Sequence, residues 1–211
     1  MKLGEIKLEA LKLMFANYNH DISIEGLTEY YADENYGGYL INMPGSINRC
    51  LSVIENKSVL PLKTSAIVRN MGLASGGMTR IDLLANIPDL YAIERVAKST
   101  PYSYNGNVDY FMEGNMLVLE PLQDGEQYFV IYRPALQRIT INSSDVEDLA
   151  GVPDYIACHI PYFIKGDLFR EDEPNEASEA RNWFEQAMSE IVQPCANMVS
   201  RVESVYSLME C

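Results

Sequence analysis

Between Lys2 and about Asn19, Leu8, Leu11, Phe15 and Tyr18 recur at spacings of three, four and three, with acid and base alternating on the other face. That spacing predicts one stripe of an amphipathic helix. From His20 to Met43 no period is sustained, tyrosines are frequent and Gly37-Gly38 interrupts the run. This stretch reads as a loop with at most one short helix. Pro44 is expected to open a second helix in its first turn, where the missing N–H costs nothing. Ile47, Leu51 and Ile54 mark its buried face, and Val59-Leu60-Pro61 ends it, because a proline disfavours the helical conformation of the residue before it.

From Leu62 the period shortens to that of strands. Thr64–Val68, Arg80–Leu84, Tyr91–Ala97, Asp109–Met112, Met116–Leu119 and Gln127–Tyr132 are alternating, β-branched or aromatic, with Gly, Asn, Asp or Pro between them. Glu113-Gly114-Asn115 has the length of a tight hairpin turn, and Asp124-Gly125 marks another. Helical periodicity returns near Ser144. Over Asp145–Phe169, Ile156, Ile160, Phe163, Ile164 and Leu168 share a side, Pro153 suits the first turn, and Pro161 forces a kink or break. A last long helix follows, N-capped by Asn175, with Ala177, Ala180, Phe184, Ala187, Met188 and Ile191 as its stripe. Trp183 lies beside that stripe, placed to face the preceding helix or a neighbouring subunit. Pro194 ends or kinks this helix.

The order helix, helix, strands, helix, helix predicts an α+β fold: a helical bundle split by an inserted small antiparallel β-domain. The bundle is expected from residues 1–61 and 142–198, the β-rich insertion from 62–141, and a C-terminal assembly arm from 199–211. The arm follows a helix-breaking proline and has only a weak stripe in Val202, Val205 and Met209.

Charge narrows the function. Thirty acidic residues against sixteen basic ones give a net charge of −14, which argues against broad nucleic-acid binding, since gripping phosphates needs Lys and Arg. The excess is concentrated: between Asp145 and Glu190 twelve acidic residues face only Lys165, Arg170 and Arg181, a net of −9. No apolar run approaches the ~20 residues that span a bilayer, so no membrane partner is expected. The N-terminal Met1–Lys7 lacks the apolar core of a signal peptide, and synthesis in the cytoplasm follows. Cys50, Cys158, Cys195 and Cys211 form no C-x-x-C pair and are expected as reduced thiols, with Cys50 and Cys158 serving as small hydrophobes in helices.

Candidate chemistry is sparse. There is no phosphate-binding loop, dinucleotide fingerprint or nucleophile elbow. Gly72-Leu-Ala-Ser-Gly-Gly77 lacks the Lys and helix start that phosphate binding requires and reads as a connector. His20 and His159 are the two histidines. His159 adjoins Cys158, but neighbours on a helix point about 100° apart, so it reads as a partly buried helix histidine rather than a metal ligand. Glu171-Asp172-Glu173 resembles no EF-hand loop and reads as a solvated corner beside Pro174. No residue is assigned a catalytic, cofactor-binding or metal-ligating role, no cofactor is expected, and the chain reads as a non-enzyme. The tyrosines of the β-insertion suit protein contacts.

Three stretches carry a family likeness. Ser46-Ile-Asn-Arg-Cys-Leu-Ser-Val-Ile-Glu-Asn-Lys-Ser-Val-Leu-Pro61 is a helix with a Leu-Pro exit. A hairpin beginning Gly114-Asn-Met-Leu leads to Tyr128-Phe-Val-Ile-Tyr-Arg-Pro134. Val152 through Pro174 contains a helix and an acidic "ED-x-P" corner, followed by Ala177, Ala180, Arg181 and Phe184 on a returning helix. In this order and spacing, residues 46–188 resemble the adaptor (head-to-tail connector) proteins of tailed bacteriophages that carry a β-insertion between their helices. Residues 1–45 and 195–211 lie outside the likeness.

The resemblance implies a structural protein of the virion neck, made in the host cytoplasm. It implies a homo-oligomeric ring, usually of about twelve copies, that sits on the portal protein and receives the next neck or tail protein. The genome would pass through the ring without specific binding, and an acidic surface repelling phosphates fits that passage. Two alternatives stay open: another neck, head-completion or tail-end virion protein one layer away, or a small ligand-binding or hydrolase domain with its site in the β-insertion.

Overall fold

The fold is α+β, a helical bundle interrupted by a small antiparallel β-domain. It is seen in a computed structural model that describes the backbone of residues 1–15, 24, 26–67, 78–100, 103–121 and 127–207. Side chains are described for these residues apart from 66–67, 99–100, 103–106 and 192–207. The chain divides into two compact units at Val59/Leu60 and at Ala135/Leu136.

In the bundle unit, α1 (Leu3–Met14) buries Ile6, Ala10, Leu11 and Met14. Two backbone N–H groups at its start, which no helix can satisfy internally, donate to carbonyls of a distant loop: Leu3 to Glu147 (3.0 Å) and Gly4 to Asp145 (2.9 Å). Gly4 has to be glycine, because a Cβ there would lie 2.9 Å from the Asp145 carbonyl and 2.7 Å from Ile24 Cγ2. Phe15, just past the helix, packs edge-on against Tyr36, Tyr39 and Phe169. Tyr18, His20 and the 72–77 loop lie outside the described residues.

A one-turn α2 (Leu27–Tyr30) precedes α3 (Gly37–Asn56), which starts seven residues before Pro44, so that proline sits inside the helix rather than opening it. The expectation rested on Gly37-Gly38 as a breaker. Instead Gly37 is where the backbone comes closest to another segment: a Cβ would sit 2.5 Å from the Tyr31 carbonyl oxygen. The complete burial of Leu40 and Met43 offsets the hydrogen bond that Pro44 removes. The expected stripe of Ile47, Leu51 and Ile54 is fully buried.

Residues 145–152 are turns, not the start of a helix, because Gly151 adopts φ 80° and Pro153 follows with an extended ψ of 148°. Helical structure begins with the short α5 (Asp154–Ala157), breaks ahead of Pro161, and resumes as α6 (Ile160–Leu168). The central α6 packs against α1, α3 and α7 (Pro174–Ser207). Of the stripe predicted for α7, Ala177, Ala180, Phe184 and Met188 are buried. Asn175 falls within its first turn, and the helix continues through Pro194. One proline removes one main-chain bond, and so long a helix keeps those on either side. Residues 208–211 of the expected arm lie outside the described residues.

Among the described residues of this unit, two buried charged side chains, Lys7 and Glu55, tie distant segments together. The Lys7 ammonium donates to Asp145 Oδ1 (2.6 Å) and to the Tyr31 hydroxyl (2.9 Å). The Glu55 carboxylate accepts the Leu136 N–H (2.7 Å) and the Arg138 guanidinium (2.5 Å). One turn-pair earlier on α3, the Asn48 amide donates to the Ile139 carbonyl (2.8 Å) and accepts its N–H (2.9 Å). The segment that leaves the insertion is thereby hydrogen-bonded along α3 as if to another strand.

The β-unit contains a four-stranded sheet, β1 (Lys63–Ile67), β7 (Gln127–Pro134), β3 (Leu90–Thr100) and β4 (Ser103–Asn107) in that spatial order. A three-stranded sheet orders β2 (Thr79–Asp82), β6 (Met116–Leu119) and β5 (Phe111–Glu113). All pairings are antiparallel. The two-residue turn Gly114-Asn115, with Gly114 at φ 60°, closes the β5–β6 hairpin as its sequence predicts. A one-turn α4 (Leu83–Asn86), capped by Asp82 through the Ala85 N–H, replaces the end of the expected second strand. Ile81, Leu117, Leu119, Val96, Tyr128 and Val130 belong to one core drawn from both sheets.

The tyrosines of the insertion suit protein contacts as a group, but two of them, Tyr128 and Tyr132, are buried in this core. Each keeps a partner for its hydroxyl, which makes the burial tolerable: Tyr128 donates to the Glu120 carbonyl (2.8 Å) and Tyr132 to Asp89 Oδ1 (2.9 Å). Asp89 also accepts from Lys63 Nζ (2.6 Å), and that ammonium holds its carboxyl below the ordinary range. Burial, then the hydrogen bond to Asp89 and its charge, pushes the Tyr132 phenol from 10.0 up to about 12. A proton held more tightly when folded contributes stability that is complete below the unfolded value and is lost as pH rises through the folded one. Melting temperatures are therefore expected to fall more steeply between pH 10 and about 12 for the wild type than for Tyr132→Phe. Parallel curves in that window would show that the Tyr132–Asp89 bond does not hold the proton.

Candidate interaction surface

The α6–α7 pair is an antiparallel hairpin that is tight at one end and open at the other. At the tight end Gly166 lets the helices meet, for a Cβ there would lie 3.0 Å from the Ala177 carbonyl oxygen and 3.2 Å from the Arg181 backbone nitrogen. One turn along, Phe163 and Phe184 stack edge-to-face at 5.1 Å, and the Arg181 guanidinium lies over the Phe163 ring at 4.1 Å. Gly166→Ala gains about 1 kcal/mol of helix propensity but presses a methyl group on unyielding backbone, at about 1–3 kcal/mol. A net loss of about 1 kcal/mol in urea unfolding is expected; a gain would mean that the helices separate freely.

At the open end, His159 and Tyr162 from one helix face Trp183, Gln186, Ala187 and Glu190 from the other across a groove of about 250 Å³. The α7 residues are spaced three, one and three apart, so they form a single face of that helix. Trp183 is 56% exposed although its neighbour Phe184 is completely buried. The Gln186 amide donates to Glu190 Oε1 (3.0 Å) and fixes the carboxylate along the helix. Burial lowers the His159 pKa, with Glu190 pulling weakly the other way, so the imidazole is neutral at neutral pH. Glu190 is the charged group of the groove.

No family model matches the chain, and no curated protein matches it in sequence.

A second recess, of about 260 Å³, lies between α3 and the acidic corner and includes Glu34, Asn42, Leu168, Tyr39 and Asp172. Tyr39 donates to Asp172, and burial together with that carboxylate pushes its phenol up to about 12. A phenol held protonated there is a donor and not a base. Among the described residues no group of three or more His, Cys, Asp or Glu side chains is placed to hold a metal ion. Cys50 is buried as expected, whereas Cys158 is exposed at the end of α5, where its thiol lies 3.6 Å from the Tyr155 carbonyl oxygen. The corner Glu171-Asp172-Glu173 is exposed, with Asp172 recruited by Tyr39. No helix among the described residues is long and apolar enough to cross a membrane.

The β-unit carries its own apolar surface. Phe111 and Met112, on the edge strand β5, are both more than two-fifths exposed. An edge strand normally carries charge or proline to discourage pairing; here Glu113, ion-paired with Arg80 at 3.0 Å, is the one charge on β5. Of these features, the off-stripe position of Trp183 was legible in the sequence. The groove was not, because His159 and Tyr162 come from another helix.

Proposed function

We propose that this chain is a structural subunit of a tailed-phage virion, an adaptor that assembles as a ring between the portal and the next neck or tail component and has no catalytic role. The observation that supports an assembly role most directly is the open end of the α6–α7 hairpin. A groove walled by Trp183 and Tyr162, on a segment with a net charge of −9, has the makeup of a protein contact: an aromatic anchor within a polar rim. The virion assignment is supported by the likeness over residues 46–188, whose helix, acidic corner and Ala-rich return correspond to α6, Glu171–Glu173 and α7. The same negative surface would let DNA pass without offering it a counterion-release gain.

Cryo-electron microscopy of virions that carry this chain tests the reading. Ring density that accommodates the split bundle and touches the portal is the expected result. A ring one layer further along would assign the chain to another neck or tail-end protein, and its absence from virions would overturn the structural reading.

A further inference from the structure

We infer that the α6–α7 groove is a receptor for a single arginine side chain presented by a partner protein, stacked on Trp183 and neutralised by Glu190. The inference rests on reading this face as an interaction surface, and four features of it converge.

The first is size. At about 250 Å³ the groove falls below the ~300–1,000 Å³ of sites that enclose small-molecule ligands, but it has room for one long side chain. The second is wall chemistry: an indole and a phenol offer negative π faces, which attract cations, and Trp is the best of the aromatic rings at this. The third is charge. Glu190 is exposed and held by Gln186, and His159 beside it contributes no positive charge at neutral pH, so a cation is the complementary occupant. A carboxylate-bearing or phosphate-bearing partner would meet Glu190 and the net −9 of the surrounding segment.

The fourth feature is a precedent within the same hairpin. One turn away, the same two helices already hold the Arg181 guanidinium 4.1 Å from the Phe163 ring centroid, with Glu185 at 3.7 Å as its carboxylate. The groove repeats this aromatic-plus-carboxylate arrangement with no Lys or Arg among its described lining residues. Arginine is favoured over lysine because its planar guanidinium can stack on the indole while its N–H groups reach the carboxylate, and because it is less strongly hydrated.

The chain has one tryptophan, so its fluorescence reports on this groove directly. Capped tri-arginine, tri-lysine and tri-glutamate peptides are titrated into the full chain at constant ionic strength, following Trp183 emission and, in parallel, heat by calorimetry. Tri-arginine is expected to give a saturable emission change with a dissociation constant several-fold below that of tri-lysine, and tri-glutamate none. Glu190→Gln should weaken tri-arginine about tenfold, while Glu171→Gln, at the acidic corner, leaves it unchanged. Circular dichroism of each variant confirms the fold.

Tri-arginine heat without a Trp183 signal would place the cation elsewhere on the acidic surface and overturn the inference. So would equal weakening by Glu190→Gln and Glu171→Gln, or equal affinity for tri-lysine. None of these outcomes touches the virion reading, which the density of the assembled ring decides separately.

Discussion

Phe184→Ala is expected to lower the unfolding free energy by about 3–5 kcal/mol, the range for emptying a fully packed aromatic site. Phe184 has no exposed surface, and its ring meets Phe163 edge-on at 5.1 Å where α6 and α7 join. Truncation removes the apolar burial and that ring contact together. The surrounding helices cannot close the gap, because Gly166 has already brought them to backbone contact at one end. Trp183→Ala, one residue earlier on the same helix, should cost about 1 kcal/mol or less, because more than half of that side chain already lies in water. Urea unfolding of the two variants checks the contrast. A Phe184→Ala loss below about 1 kcal/mol would mean that the buried face of α7 is misplaced.

The second large effect is expected at Asp145. The Lys7 side chain is completely buried, and its ammonium depends on Asp145 at 2.6 Å with Tyr31 as its other partner. Asp145→Ala removes the counter-charge and leaves an ammonium without compensation, which costs about 3–5 kcal/mol at a buried site. The lower end applies here, since Asp145 itself is 23% exposed and water can reach its place. In a Lys7→Met background the same Asp145→Ala change should cost about 1 kcal/mol or less, because no charge is then stranded. That non-additivity, measured as a double-mutant cycle by thermal or urea unfolding, is the sign of the pair. Equal costs in both backgrounds would show that Asp145 acts through its loop and not through Lys7.

The elements easiest to read in the sequence were those whose signal is local. Ile47, Leu51 and Ile54 on α3, and Ala177, Phe184 and Met188 on α7, keep a helical period and are buried as that period requires. The strand Met116–Leu119 and the Gly114-Asn115 turn were legible for the same reason. What escaped depends on neighbours far away in the chain. Gly37 reads as a breaker until Tyr31 is seen against it, and Pro44 reads as a start until the burial of Leu40 and Met43 is known. The turns of 145–152 look helical in pattern, but they serve α1, a partner some 140 residues away, by capping Leu3 and Gly4. Strand β4 has too little apolar alternation to show itself, and the sorting of the described strands into two sheets is a matter of pairing. The candidate surface was half visible: Trp183 and Glu190 lie on one helical face of the sequence, and nothing local places His159 and Tyr162 opposite them.

Glu55 and Leu136 are 81 positions apart in the chain yet joined by one hydrogen bond of 2.7 Å, with Arg138 and Asn48 reinforcing the junction. The bundle therefore treats everything between them as a closed loop whose neck is fastened from the bundle side. For a flexible connection, doubling the length of such a loop adds only about 0.6 kcal/mol of closure entropy, and none of the fastening atoms lies beyond the neck. Because every one of these bonds joins two residues of the bundle unit, the junction itself sets no length or fold for the segment it closes, and insertions of very different size are compatible with the same helical register.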